Sequence, residues 1–286
     1  MLSPSISQLQ RTCCSVKQLL LTMHFKARSG HVGSALSCAE ILTFIKFYCS
    51  SGTDPLVLSK GHAASALYAV LAIAEKISVQ DLTSMYYQDG SHFSAHPPPN
   101  KLPAIPFATG SLGHGPGLAA GLALGAKLKG SSHERVYCVM SDGELNEGSV
   151  WEAFAFAAHH KLNNLTFIID KNDIQGFGRT GDVLNMAPLA DKLKSFGIAV
   201  VEADGHDFES LTSSYKFACD DARDIGAPAV ILAKTTKGRG LPGLADTVDC
   251  HYLPMTTEVF EAAIEFCDNE LQRLLALHLQ EDDHAS

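Results

Sequence analysis

The chain has 286 residues, of which 46% are hydrophobic and 19% are charged, and its formal net charge is −9. This composition is typical of a globular protein with a sizeable core, and an acidic balance without a Lys/Arg run argues against nucleic-acid binding. No apolar run is long enough to cross a bilayer, so we expect no membrane association. The eight cysteines form no Cys-x-x-Cys pair, which predicts free thiols and a reducing, cytoplasmic setting.

Hydrophobic periodicity and capping signals predict the first elements of the chain. In chain order they are an amphipathic helix that includes Leu9 to Met23, a second helix from a capping box at Ser37–Glu40 through Phe47, a short buried strand over 56–59, and a helix over 63–75. The stretch 88–117 is rich in Gly, Pro, Ser and His. A loop of this length inside a compact domain is usually functional.

Helices and strands are predicted to alternate after residue 117, which is typical of βαβ units. They are a helix over 117–128, a strand over 136–140, a helix over 149–160, a strand over 165–170, a helix over 188–196, a strand over 198–202, a helix over 208–225 and a strand over 229–233. The predicted fold class is therefore α/β, with a doubly wound, mainly parallel sheet and helices on both faces. We expect a single domain over 1–286 with a helical C-terminal tail from about residue 256.

Polar motifs follow the first three predicted strands. They are Lys60-Gly61-His62, Ser141-Asp142-Gly143 and Asp170-Lys171-Asn172. Because ligands of such sheets bind beyond the carboxyl ends of the strands, we expect the three motifs to converge. An aspartate, an asparagine and a loop carbonyl are hard oxygen ligands, which suit Mg²⁺ (or Ca²⁺ or Mn²⁺) shared with a phosphate group.

Further clusters complete a recognisable order along the chain. They are Ser29 to Gly33, Ser94 to Pro97, Thr109 to Gly115, Lys234 to Gly240 and His251. With the three motifs above, they resemble the N-terminal, diphosphate-binding domain of transketolase from about Arg28 to His251. The resemblance implies a thiamine-diphosphate-binding fold, with thiamine diphosphate and Mg²⁺ as cofactors. It also implies transfer of a two-carbon ketol unit from a ketose, with or without a phosphate, to an aldehyde or carrier-bound acceptor.

The resemblance also implies roles for individual residues. The metal ligands would be the side chains of Asp142 and Asn172 and the carbonyl of Ile174. The residues in contact with the cofactor would be His62, Gly110, Ser111, Leu112, Asp142, Gly143, Glu144, Asn172 and His251. Among them, His62, His251 and the Gly143 amide would hold the diphosphate. Gly110 and Leu112 would line the aminopyrimidine. As catalytic candidates, His31 and His96 would face the substrate, and Glu147 and Glu152 match acidic residues at the family's subunit interface.

Several positions have a second interpretation. Ser141 stands where the family signature has a glycine. Lys60 either adds charge near the phosphate or points outward, and Glu152 also suits a solvated helix face. The segment Lys234 to Gly240 is also compatible with a solvated loop. Histidines such as His24, which match no motif, are typical of surface or satisfied core positions.

The sequence after His251 is too short for the second domain of a single-chain transketolase, which supplies the glutamate that activates the aminopyrimidine. We therefore expect the first subunit of a split transketolase, active only with a pyrimidine-binding partner subunit in an α2β2 heterotetramer.

Two alternatives remain open: an α-like subunit of a 2-oxo acid dehydrogenase or decarboxylase, and a catalytically silent partner that binds cofactor for assembly. The motif histidines favour the ketose, and the retained Asp142 and Asn172 argue against a silent partner.

Overall fold

The computed structural model describes residues 3–285 except 52, 100, 101, 132 and 133, and no side chain is described for 221, 223 and 277–285. Its strands are β1 Leu56–Leu58, β2 Val136–Ser141, β3 Leu165–Lys171, β4 Ile174–Gln175, β5 Gly178–Arg179, β6 Ala199–Asp204 and β7 Ala229–Lys234. Five of them form a parallel sheet in the order β1-β2-β3-β7-β6, and β4 and β5 form a small antiparallel hairpin.

Helices surround the sheet and occupy most of the connections between strands. They are α1 Ile6–Ala27, α2 Val32–Ser37, α3 Ala39–Phe44, α4 Ala64–Ile73, α5 Val79–Met85, α6 His114–Leu128, α7 Gly148–His159, α8 Thr180–Val183, α9 Leu189–Ser195, α10 Phe208–Ile225, α11 Asp249–Tyr252 and α12 Thr257–Ala285. None of the helices that the structure describes has the length and apolarity needed to cross a bilayer. The eight cysteines are all free, as their spacing predicts.

Alternate side chains of each strand in the five-stranded sheet enter two separate hydrophobic cores. Tyr137 and Val139 of β2 pack on one face with residues from α1, α3 and α4. Cys138 and Met140 pack on the other face with residues from α6 and α7. Strands buried on both faces are characteristic of parallel sheets, so the predicted doubly wound α/β fold is confirmed.

The strand register places the predicted polar motifs side by side. Ser141 of β2 pairs with Asp170 of β3, and Asp170 pairs with Ala233 of β7. The carboxyl ends of three central strands are therefore level with one another, at the edge of the sheet where ligands bind in this fold class.

The predicted capping box at Ser37–Glu40 is wrong. Ser37 lies at the end of α2, where its hydroxyl donates to the carbonyl of Ser34 (3.1 Å) and to Asp170 (2.5 Å). Glu40 accepts a 2.5 Å hydrogen bond from Lys17 of α1. Tertiary partners therefore engage both side chains. The predicted helix itself is present as α3, which continues directly into a π-helical turn over Ile45–Cys49, and α2 precedes it.

The C-terminal helix α12 is packed against the domain and is not a free tail. Phe260 stacks on Phe25 of α1 with ring centroids 4.1 Å apart, and Ala263, Cys267 and Leu274 are buried. The helix therefore covers α1 on the outer side of the first core.

Candidate active site

A cavity of about 290 Å³ opens at the carboxyl ends of the central strands. Its walls come from the segments after β1, β2, β3 and β7 and from the start of α2. The lining residues are His31, Ser34, Lys60, His62, His96, Gly110, Leu112, Ser141, Gly143, Asn172, Ile174, Gln175, Gly176, Phe177, Lys237, His251 and Tyr252. The three strand-end motifs converge here, as predicted, and Ser141 is accommodated in the wall.

Three imidazoles lie close together in this cavity. The ring centroid of His251 is 4.9 Å from that of His31 and 5.5 Å from that of His62, and His31 and His62 are 5.8 Å apart. His31 adopts a left-handed backbone conformation (φ 67°), and its amide donates to the carbonyl of His251 (3.0 Å). A non-glycine residue in this conformation is strained, and such strain is typical of functional sites.

Two buried lysines complete the basic floor of the cavity. Lys60 is fully buried and donates to Asp170 and to the carbonyl of Ser34 (3.0 Å), so of its two interpretations the outward-pointing one is wrong. Lys237 is 2% exposed and donates to the carbonyl of Ile174 (2.9 Å). The interpretation of 234–240 as a solvated loop is therefore wrong at Lys237, although Lys234 is exposed.

The electrostatics of the cavity favour an anion. Among the described residues that line it, none is Asp or Glu. Burial, together with Lys237 and the neighbouring imidazole of His31, lowers the pKa of His251 to about 3. Burial and Lys60 hold the pKa of His62 well below its usual range, and burial lowers the pKa of Lys237 to about 8. The floor thus presents hydrogen-bond donors and one buried cation, Lys237, that has no salt bridge among the described residues, and this combination suits a polyanion.

The three predicted metal-ligating oxygens lie next to this floor. Asp142 is 3% exposed, and its carboxylate accepts from the amides of Gly143 (2.9 Å) and Asp173 (2.8 Å). The side-chain oxygen of Asn172 accepts from the Ile174 amide (3.1 Å). Burial and the nearby Asp170 raise the pKa of Asp142 to about 6, as expected of a buried carboxylate beside another acid.

The composition of this oxygen set limits the kind of metal site. Across the described part of the chain, no group of three or more His, Cys, Asp and Glu side chains is placed to hold a metal ion. The predicted set has one carboxylate and two neutral oxygens. Such a set matches a hard cation that takes its remaining ligands from a bound phosphate group or from water.

Five of the predicted site residues are not among those that line the cavity: Ser111, Asp142, Glu144, Glu147 and Glu152. Glu144 is fully buried, and its carboxylate accepts from Ser59 and from the amide of Gly113 (2.7 Å). It therefore anchors the turn that carries Gly110 and Leu112. Ser111, Glu147 and Glu152 are exposed.

Several lining residues were not predicted from the sequence. The largest are Gln175 and Phe177 in the β4–β5 hairpin and Tyr252 at the end of α11. Strands β4 and β5 are each two residues long, which is too short to show an alternation of apolar and polar residues. Only their position in the sequence could have indicated these residues, because the hairpin comes just after Asn172 and Tyr252 comes just after His251.

Comparisons with known proteins agree with this geometry. Residues 10–267 match the family described as "Transketolase, thiamine diphosphate binding domain". The chain is 34% identical over 276 residues to one subunit of the apulose-4-phosphate transketolase of Actinobacillus succinogenes, covering 93% of this chain and 98% of that protein. It is 37% identical to human transketolase over 268 residues, covering 90% of this chain but only 42% of the human protein.

The solved transketolase from Campylobacter jejuni has a similar fold. It superposes with a TM-score of 0.79 at 28% identity, over 97% of this chain and 47% of that chain. This chain therefore spans the length of the Actinobacillus relative and less than half of the longer transketolases.

Proposed function

The chain belongs to the family of transketolase thiamine diphosphate binding domains, and we propose on this basis that it is the cofactor-binding subunit of a split transketolase. The observation that carries the proposal is the cavity floor, where Lys60, Lys237 and three imidazoles lie beside the oxygens of Asp142, Asn172 and Ile174. Few ligands need both features, and a metal-bound diphosphate is one of them.

The residues present fit thiamine diphosphate with Mg²⁺. His62 and His251 would hold the diphosphate, and the Gly143 amide would join them by exchanging its bond to Asp142 (2.9 Å) for one to the diphosphate. Asp142, Asn172 and the Ile174 carbonyl would hold the metal. A side chain at Gly110 would meet only the His96 ring, at 3.6 Å, so the backbone of this turn is open to a flat ring such as the aminopyrimidine. When bound, the cofactor supplies the carbanion chemistry that ketol transfer requires.

His31 and His96 are proposed to act on the substrate. Burial lowers the pKa of both imidazoles, so both are neutral at physiological pH and can accept a proton from a sugar hydroxyl. The name of the Actinobacillus relative points to a ketose phosphate as the donor class, and we propose that class for this chain.

The proposed partner is a pyrimidine-binding transketolase subunit. No carboxylate among the described lining residues could activate the aminopyrimidine, so a second chain would supply it. Glu147 and Glu152, exposed at the start of α7, are proposed to lie at a subunit interface of an α2β2 heterotetramer. The eight free thiols support our proposal of a cytoplasmic setting.

The test is reconstitution. We expect no ketol transfer by the purified chain alone. Transfer should appear when a pyrimidine-domain subunit, thiamine diphosphate, Mg²⁺ and a panel of ketose phosphates that includes apulose 4-phosphate are added. Turnover by this chain alone would contradict the split-enzyme proposal, and turnover confined to 2-oxo acids would replace the ketose with the alternative donor. Cofactor binding without turnover of any donor would indicate a silent partner.

A further inference from the structure

Helix α11, Asp249–Tyr252, is a short segment that connects two other walls of the cavity. Its last residue, Tyr252, donates from its hydroxyl to the carbonyl of Gly176 in the β4–β5 hairpin (2.9 Å). Its His251 carbonyl accepts from the amide of His31 (3.0 Å). The hairpin and the loop before α2 therefore meet through α11.

Both of these walls carry a glycine where they touch Tyr252. A Cβ atom at Gly30 would lie 2.4 Å from the Tyr252 carbonyl oxygen, and one at Gly176 would lie 2.4 Å from the Tyr252 hydroxyl. Neither distance is possible for real atoms, so the close approach of the three segments depends on the absence of side chains at both positions.

The three connected segments carry different parts of the site. The loop before α2 carries His31, α11 carries His251, and the hairpin begins with Ile174, whose carbonyl is a proposed metal ligand. Functional groups on separate loops lose affinity when the loops move independently, because ordering them then costs free energy on binding. A bond between the loops reduces this cost.

We propose that Tyr252 is a positioning residue for the cofactor site, and that its hydroxyl holds the β4–β5 hairpin at the distance from His251 and His31 that a metal-bound diphosphate requires. The identity of the ligand rests on the function proposed above, whereas the link between the loops rests on the hydrogen bond and the two glycines. Tyr252 is half exposed. The bond therefore competes with water, and its loss is expected to change affinity by about threefold to tenfold.

The two sides of the contact can be broken separately. Tyr252→Phe removes the hydroxyl and keeps the ring. Gly176→Ala places a Cβ atom that pushes the Tyr252 hydroxyl away. When Tyr252→Phe has already removed that hydroxyl, the nearest atoms to the new Cβ are Cζ of residue 252 at 3.5 Å and His251 Nε2 at 3.7 Å, which are ordinary contact distances. The double variant should therefore behave like Tyr252→Phe alone. Gly181→Ala, whose Cβ would meet nothing within 4 Å, is the matched control.

Two measurements on the full-length chain test the proposal. Hydrogen exchange of the amides over 174–179 should be faster in Tyr252→Phe, in Gly176→Ala and in the double variant, and unchanged in Gly181→Ala. Calorimetric titration with inorganic diphosphate and Mg²⁺ should show about threefold to tenfold weaker binding in the same three variants. With the partner subunit present, the cofactor concentration at half-maximal activity should rise while turnover at saturating cofactor stays unchanged.

Unchanged exchange in Tyr252→Phe, or losses that add in the double variant, would overturn the positioning role. A wild-type chain that binds no diphosphate, with or without the partner, would instead overturn the proposed function. The exchange measurement would still decide whether Tyr252 links the loops, so the two failures are distinguishable.

Discussion

Charge is buried in two regions of this molecule, and the two regions treat it differently. Away from the cavity, Lys17 of α1 and Glu40 of α3 form a 2.5 Å ion pair with side chains 13% and 5% exposed. His206 places its Nδ1 atom 3.2 Å from the second Glu40 oxygen. Its Nε2 atom accepts from the Thr236 amide (2.8 Å), so Nδ1 is the nitrogen that carries a proton towards Glu40. This interior triad, Lys17, Glu40 and His206, is internally compensated.

The cavity shows the opposite arrangement. Lys237 is buried to a similar degree, but no salt bridge to it is present among the described residues, and its hydrogen bond goes to the neutral Ile174 carbonyl. Lys60 is paired with Asp170, and no Asp or Glu is among the described residues that line the cavity with Lys237 and the three imidazoles. Burial of a cation without a partner costs stability. The comparison indicates that the interior triad stabilises the fold, whereas the cavity accepts a stability cost that a bound anion would offset.

The largest expected effect comes from breaking the interior triad. Lys17→Met leaves the Glu40 carboxylate buried without its cation, which should lower the free energy of unfolding by about 3 kcal/mol. Lys26→Met, an exposed position on the same helix, is the control and should change it by less than about 0.5 kcal/mol. Denaturant titration at pH 7 measures both, and diphosphate affinity should not change in either variant.

The pH dependence of this effect follows from Glu40. Burial opposes its ionisation, but Lys17 and His206 together outweigh burial and lower the pKa from 4.5 to about 2. Stability from a lowered acid pKa is present above the unfolded pKa and is lost as the pH falls through the folded one. The cost of Lys17→Met should therefore be about 1.4 kcal/mol smaller at about pH 3.5 than at pH 7. An equal cost at both values would contradict an ion-pair role.

The second effect concerns the anionic side of the cavity. Asp142→Ala removes the one carboxylate of the proposed metal set and should weaken binding of diphosphate with Mg²⁺ by at least about 100-fold, more than loss of an outer partner typically costs. Asp246→Ala, an exposed acid paired with Arg179, is the control and should bind like the wild type. Calorimetric titration separates them, and wild-type affinity in Asp142→Ala would place the metal elsewhere.

The sequence predicts the parts of this comparison that depend on local pattern. The strand-end motifs could be placed together because parallel strands end at the same edge, and His62 and Asn172 line the cavity as that reasoning requires. The interior triad could not be found in this way, because Lys17 and Glu40 are 23 residues apart and the local signal at Glu40 resembled a capping box. Lys237 and Tyr252 are joined to the hairpin across 63 and 76 residues. Contacts over such separations are set by tertiary packing and leave no period or spacing to detect.

The smallest expected effect comes from Lys237→Met. It tests most directly whether the cavity and the interior triad differ, because it repeats in the cavity the lysine-to-methionine change made at Lys17. Burial, with the nearby Lys60, lowers the pKa of Lys237 from 10.5 to about 8. A lowered lysine pKa means that folding is penalised while the lysine is charged, below about pH 8, and that the penalty disappears above 10.5. Lys237→Met removes this penalty at pH 7 and loses one hydrogen bond to Ile174, so the variant should be at least as stable as the wild type.

Binding should change in the opposite direction. The loss of one cation from the floor should weaken binding of diphosphate with Mg²⁺ by about tenfold, because a charged hydrogen bond to the anion contributes about 1.5 kcal/mol. Lys234→Met, exposed in the same segment, controls for charge alone and should show neither change. Denaturant titration and calorimetry on the same samples measure both quantities. If Lys237→Met lowered the free energy of unfolding as Lys17→Met is expected to do, the two regions would not differ in kind, and the cavity cations would have to be reassigned to the stability of the fold.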